Sequence, residues 1–446
     1  MILPVDLILK NARIYAFGKI VEAGLAVDNG RIVRIAKESN LPSASEKMDL
    51  EGLLVLPGLI DVHVHLRDQE LSYKEDFYSG TCAAANGGIT LVMDMPNNKP
   101  ITMSAETLRE RMEIASGKIV VNVAFYSAFP KEIREMKEIV DAGAKAFKFF
   151  LSHKVGGLDP NDEKNTIKAF KEASRLNIPV AVHAEDGALL NESFRRLRSS
   201  GREDLDAYLE VHSQEAEVSG IRRAIRLMRN SGAHLHICHV STSEGLRIIV
   251  GAKRSGSSIS CETTPHHILL SSQHMREIGP IALVNPPLRN PSETLYLQRA
   301  LCNGLIDALA SDHAPHSLTE KESSSVWEIS AGIAGIETML PLMLTMVNKG
   351  LLTIPDLARL MAENPAKIFG FRGRGSIIEG NYADLVVVDL KREWTIDPSE
   401  FYSKAKFSPF EGWNVRGKPV KTFVGGNLVM EDGEIVAKPG SGRIIR

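Results

Sequence analysis

The sequence predicts an α/β protein: a (β/α)8 TIM barrel with a small composite β-sandwich domain assembled from both termini. Three observations predict it. Eight short apolar, β-leaning segments lie between about residues 53 and 306, and helix-like stretches separate them. Strict strand–helix alternation calls for parallel strands with crossover helices, and eight such units over roughly 250–300 residues fit a closed barrel. No GxGxxG turn follows the first strand, which argues against a doubly wound open sheet. The third observation is that both ends of the chain read as hairpins instead.

Residues 1–52 carry "VDLILKNARIY" and "GLAVDNGRIVRIA", alternating apolar runs with an Asp-Asn-Gly turn signal. Residues 53–370 form the barrel. Its strand segments are "LLVLPGLIDVHVHL", "GITLVMDMP", "IVVNVAFYSAF", "AKAFKFFLS", "IPVAVHAED", "AHLHICHVS", "SISCETTPHHILL" and "LIDALASDHAPH". Stretches such as "SAETLRERMEIASG", "PKEIREMKEIVDAG" and "EAEVSGIRRAIRLMRNSG" end in the glycine expected at a helix C-terminus. Residues 371–446 return to strands, "GSIIEGNYADLVVVDL" and "VKTFVGGNLVMEDGEIV", and pair with the N-terminal strands in one small domain.

Composition bounds the function. A net charge of −2 on 446 residues gives no polyanion-binding surface, and 43% hydrophobic content supplies a large core. The four cysteines are far apart with no CxxC pair, as in a reducing compartment. No signal peptide and no apolar run of about 18 residues is present. These features predict a cytoplasmic protein with a small-molecule partner, no nucleic acid and no membrane.

Barrel enzymes carry their sites at the C-terminal ends of the strands. His63 and His65 end the first segment, Lys148 lies in the fourth, His183 ends the fifth, His239 the sixth and Asp312 the eighth. On the alternation of "GLIDVHVHLRD", Asp61, His63, His65 and Arg67 share one face of the first strand. Imidazole and carboxylate donors converging on one mouth suit zinc or a similar divalent metal. His234 and His236 are assigned to packing or to a supporting layer, and His153, His212 and His274 to solvated surface. Asp61 is assigned to orienting a histidine ligand. Lys148 sits among aromatic and apolar neighbours in "AFKFF". As a free amine it can take up CO2, giving a carbamate whose two oxygens suit a pair of metals.

The motifs "DVHVHLRD", "MDMPNNKP", "FKFF", "VHAED", "CHVST", "ETTPHH", "NPPLR" and "SDHAPH" resemble, in order, those of the cyclic-amide hydrolases of the amidohydrolase superfamily. "HLRD", "MPN" and "NPPLR" are most similar to the dihydroorotase family, and the resemblance covers essentially the whole chain. It implies the barrel and composite sandwich read above, and two Zn2+ per subunit. Their implied ligands are His63, His65, Lys148 as N-carboxylysine, His183, His239 and Asp312. Implied substrate contacts are Arg67, Asn97, Asn285 and His316, with backbone contacts at Ala331 and Gly332. The implied activity is reversible cyclisation of N-carbamoyl-L-aspartate to L-dihydroorotate in pyrimidine synthesis, with Asp312 as general acid and base. A homodimer and association with aspartate carbamoyltransferase are compatible with it. Arg67 separates this reading from hydantoinase, dihydropyrimidinase or allantoinase activity, whose rings lack the carboxylate; the structural alternative is a salt bridge to Asp61 or Asp68. A non-catalytic scaffold is disfavoured because every implied ligand is present. The segment "LSHKVGGLDPND" departs from the pattern, lacking the threonine with which many relatives cover the substrate.

Overall fold

The computed structural model describes residues 4–446. The alternating N-terminal runs form β1 (Val5–Ala16), β2 (Lys19–Asp28) and β3 (Arg31–Ala36), paired antiparallel in that order. Asn29 and Gly30 both have positive φ, 50° and 74°, the backbone that a two-residue hairpin turn needs here. Strands β4 (Ala44–Asp49) and β5 (Leu54–Pro57) then run parallel to β1.

The barrel follows as β6 (Leu59–Val64), β7 (Ile89–Asp94), β8 (Asn122–Ala128), β9 (Ala146–Phe150), β10 (Val180–His183), β11 (Leu235–Ile237), β12 (Ile259–Thr263) and β13 (Ala308–Leu309). Each strand pairs with the next, all in parallel. The ring closes where the His65 N–H donates to the His313 carbonyl at 2.8 Å. Crossover helices start and stop where the sequence signals them. Ser104 caps the helix Ala105–Ser116 through a capping box with Thr107, and Gly143 and Gly232 end their helices in left-handed conformation. Ile60, Val62, Leu91, Met93, Tyr126 and the small Ala124, Ala146, Ala181 and Ala310 fill the barrel interior, packed with Phe369 and Phe371 from beyond the last crossover.

Strands β14 (Leu385–Thr395), β15 (Asn414–Val424), β16 (Asn427–Glu431) and β17 (Glu434–Ile435) complete the terminal domain. Antiparallel pairing of β14 with β5 fuses both ends of the chain into one nine-stranded sheet. That sheet encloses its own core, in which Leu9, Ile14 and Leu25 meet Leu385, Val387 and Phe423.

Two boundaries differ from the sequence reading. "LLVLPGLIDVHVHL" is two strands, because the chain turns at Gly58: β5 belongs to the terminal sheet and the barrel starts at Leu59, not at residue 53. A Cβ on Gly58 would lie 2.3 Å from the Thr90 hydroxyl, so only glycine passes this crossing. The C-terminal segment, expected wholly in the small domain, returns to the barrel, where Ile445 N–H and Arg443 C=O pair with Val123 at 2.8 and 3.0 Å.

Candidate active site at the barrel mouth

The first barrel strand does not keep the simple alternation read from it. Its register against β7 shifts between Asp61 and Val64. Ile60 and Val62 therefore face the barrel interior, while Val64 and Leu66 pack in the outer core. Beyond Val64 the strand ends, and Arg67, Asp68 and Gln69 take positive φ of 55°, 54° and 50°. The Asp68 carboxylate holds this turn, accepting from Gln69 N–H (2.6 Å) and Phe77 N–H (2.9 Å) and pairing with Lys118 (2.9 Å). Arg67 reaches the mouth by this turn, not as the next pleat of the strand.

His63 Nε2 and His65 Nε2 converge on Asp312 Oδ1 at 3.4 and 3.3 Å. The opposite nitrogens are held: His63 Nδ1 by Glu262 at 2.5 Å and His65 Nδ1 by the Asn97 carbonyl oxygen at 2.8 Å. Lys148 points inward, with Nζ 3.4 Å from His63 Nε2 and 3.0 Å from Cys238 Sγ. His183 Nδ1 lies 3.1 Å from His239 Nε2, and His239 Nδ1 is buried without a partner among the described residues. Atoms of His63, His239 and Asp312 lie within 4.8 Å of one another, close enough to share one ion. Burial holds His65 and His239 well below the usual imidazole range. Both rings are thus neutral, the form that ligates metal. His239 and Asp312 carry positive φ, 35° and 45°, so each strand end bends its side chain into the mouth.

Every metal-ligand and substrate-contact residue named from the sequence lines a single cavity of about 530 Å³. At one end lies Arg67, buried, with its Nε donating to the Pro315 carbonyl at 3.3 Å. Burial lowers its guanidinium to about 10, so it stays charged at neutral pH. Neither proposed structural partner pairs with it: Asp68 pairs with Lys118, and Asp61 accepts from the backbone N–H groups of His63 and Ser311. Among the described residues no carboxylate lies within 4 Å of the Arg67 guanidinium. Lys74 Nζ lies 3.1 Å from His316 Nδ1, and His316 Nε2 stands between Arg67 Nη2 at 3.3 Å and the Ala331 carbonyl at 3.1 Å. The Tyr208 hydroxyl engages the Asn285 side-chain oxygen, leaving its amide nitrogen as a donor. The lining also includes an apolar set, Leu190, Phe194, Val211, Val326, Trp327 and Ile329.

Several supporting groups escape the sequence reading. Among the described residues Asp61 bonds no imidazole; burial pushes its carboxyl up to about 7, and one oxygen is left without a partner there. The group that orients His63 is Glu262, which also accepts from His236 at 3.0 Å. Burial alone would raise the Glu262 carboxyl, but His63 and His236 hold it well below the usual range. Glu185 does the same for His183 at 2.7 Å and also binds His212 at 2.9 Å. His212 lines the cavity, half-buried, instead of standing on free surface; His153 is exposed as expected, at the cavity rim, and His274 completes a helix N-cap with Ser271. Glu185 was signalled by its place two residues beyond His183 in "VHAED"; no local signal links Glu262 to His63, 199 residues away.

A family model described as the amidohydrolase family matches residues 54–429. The dihydroorotase of Methanothermobacter thermautotrophicus is 38% identical over 445 residues, covering 99% of this chain and 97% of that protein. The L-hydantoinase of Paenarthrobacter aurescens is 34% identical over 447 residues, covering 99% and 98%. Among solved structures, the L-hydantoinase (dihydropyrimidinase) from Arthrobacter aurescens superposes with a TM-score of 0.95 at 34% identity, covering 99% of this chain and 100% of that one.

Proposed function

This chain belongs to the amidohydrolase family, and from that premise we propose that it is a zinc-dependent dihydroorotase, closing N-carbamoyl-L-aspartate to L-dihydroorotate and reopening it. The observation that carries this reading is Arg67, a buried, charged guanidinium facing the cavity without a carboxylate partner among the described residues. An unpaired buried cation is costly. A substrate carboxylate bound through two parallel hydrogen bonds supplies the missing partner. Hydantoin and dihydrouracil carry no such group.

The donor set fits zinc: neutral imidazoles with their outer nitrogens fixed by Glu262 and Asn97, a carboxylate at Asp312, and a buried His239 nitrogen without a partner among the described residues. We assign the ions to His63, His65, His183, His239, Asp312 and Lys148, the last as a carbamate. When bound, two Zn2+ supply a water acidified toward neutral pH and polarisation of the ring carbonyl. The chain's own residues do the rest. Asp312 takes up the proton of the attacking water at its carboxylate and delivers it to the ring nitrogen as the amide opens. Ring closure reverses that transfer. Arg67 and Asn97 fix the substrate carboxylate beside His316, while Asn285 holds the ring edge against the Ala331–Gly332 turn.

One observation favours a second reading, hydantoinase activity: the apolar part of the lining suits a ring bearing an apolar substituent. An ultraviolet assay with dihydroorotate, an aromatic-substituted hydantoin and allantoin separates the two. Turnover of the hydantoin alone would overturn the proposal. The homodimer and the association with aspartate carbamoyltransferase belong to the same proposal, and sedimentation of the protein alone and mixed with that enzyme tests both.

A further inference from the structure

Lys321 is among the most deeply buried large side chains of the molecule, and no part of the mechanism above uses it. Among the described residues it has no carboxylate within hydrogen-bond distance. Burial lowers its amine to about 7, and its Nζ donates instead to two backbone carbonyls, Gly332 C=O at 2.7 Å and Leu283 C=O at 3.3 Å. Those carbonyls belong to different walls of the cavity. Leu283 precedes Val284 and Asn285 on one side, and Gly332 follows Ala331 on the other. Between the walls the direct link is Gly332 N–H donating to Leu283 C=O at 2.8 Å.

Space at this junction is tight. Gly332 has φ of 154°, and a Cβ there would lie 2.3 Å from the Ala314 carbonyl. His316 Nε2 also lies 3.1 Å from Ala331 C=O, and Ser330 N–H donates to Glu320 C=O at 2.9 Å. The segment 316–321 thus grips the 330–332 turn at three points, and only the Lys321 contact crosses to the other wall. A buried amine costs free energy unless it is hydrogen-bonded. Spending it on two carbonyls makes sense where the spacing of those carbonyls matters.

We propose that Lys321 is a positioning residue that sets the gap between the Leu283–Asn285 wall and the Ala331–Gly332 turn, and hence how tightly a cyclic amide is held. The inference rests on the cyclic-amide reading of the cavity but not on the choice between charged and neutral rings. A gap-setting residue acts on every ring that enters, whereas Arg67 acts on the carboxylate alone.

The test is Lys321→Met, a near-isosteric change that leaves Leu283 C=O its bond from Gly332 N–H. Losing this hydrogen bond should raise KM roughly 2- to 10-fold. KM should rise by a similar factor for dihydroorotate and for any neutral ring the native enzyme opens, with kcat within about threefold. Lys321→Gln, which keeps a donor, should recover part of the loss. Hydrogen–deuterium exchange on the zinc-loaded protein gives a readout free of turnover: faster exchange confined to peptides spanning 283–286 and 330–334. Unchanged KM and exchange, a fall in kcat without a change in KM, or a variant that does not fold would each overturn the positioning role. If native enzyme opens hydantoin but not dihydroorotate, the dihydroorotase reading fails. The Lys321 result on hydantoin, and the exchange pattern, still decide this proposal.

Discussion

Arg67 and Glu262 show how single residues divide the work of the site. Arg67→Met should retain its metals and lose on the order of 2–5 kcal/mol of transition-state binding toward dihydroorotate, the range for truncating one partner of a buried charge pair. That is roughly 30- to several-thousand-fold in kcat/KM. A neutral ring should lose far less, so the ratio of the two losses is the measurement, with zinc determined on the same preparation. Equal losses would mean that Arg67 serves the fold. Glu262→Gln tests the support beneath His63. Its two carboxylate oxygens accept from His63 and His236, and an amide can accept only on one side. Zinc affinity, measured by chelator competition, should fall about 10- to 100-fold. Native affinity would show that His63 needs no such anchor. His63 was legible because "HVH" at a strand end is a local pattern. Glu262 was not, because its contact depends on how β6 and β12 meet across the barrel interior.

At the scale of elements, the helices set the strand ends they sit on. Gly220 lies within the helix Gln214–Ser231, and a Cβ there would fall 2.2 Å from the Ala184 carbonyl. That helix is seated directly on the turn carrying His183 and Glu185. Gly220→Ala should therefore destabilise by about 1–3 kcal/mol despite the better helix former, because the clash is with backbone. Activity should fall further than stability, since the Glu185 contact to His183 moves with the turn. Gly251, in the helix Ser243–Arg254, has nothing within 4 Å of its Cβ position. Gly251→Ala should raise stability by up to about 1 kcal/mol at unchanged activity. Chemical unfolding and kcat/KM on both variants check the pair, and a common sign would count against the packing argument. Helix signals such as Ser104 and Gly143 were readable from sequence since caps are local. The register shift in β6 was not, because it arises from pairing with β7 and leaves no mark in the alternation itself.

The whole molecule is held by connections between distant parts of the chain. The β5–β14 pairing joins residues 54–57 to residues 385–388. The C-terminal segment is tied to the barrel by bonds at Ile119 and Val123. Removing residues 440–446 should cost about 2–4 kcal/mol from lost hydrogen bonds and apolar burial. Calorimetry should then show Tm lower by several degrees; an unchanged Tm would make the segment an ornament on the barrel floor. Chelation of the proposed zinc should lower Tm further, by an amount that depends on free metal concentration, since ligands that bind only the folded state stabilise by mass action. By itself the sequence determined the barrel, the pairing of its two ends into one domain, and the residues that line the mouth. Strand–helix alternation and motifs at strand ends are local, and a barrel sends all its strand ends to one side. Only the tertiary structure decided where the barrel begins, that Arg67 arrives by a left-handed turn, and that Glu262, Glu185 and Lys321 brace the site. Those facts depend on register, closure and burial, which no segment of the chain carries alone.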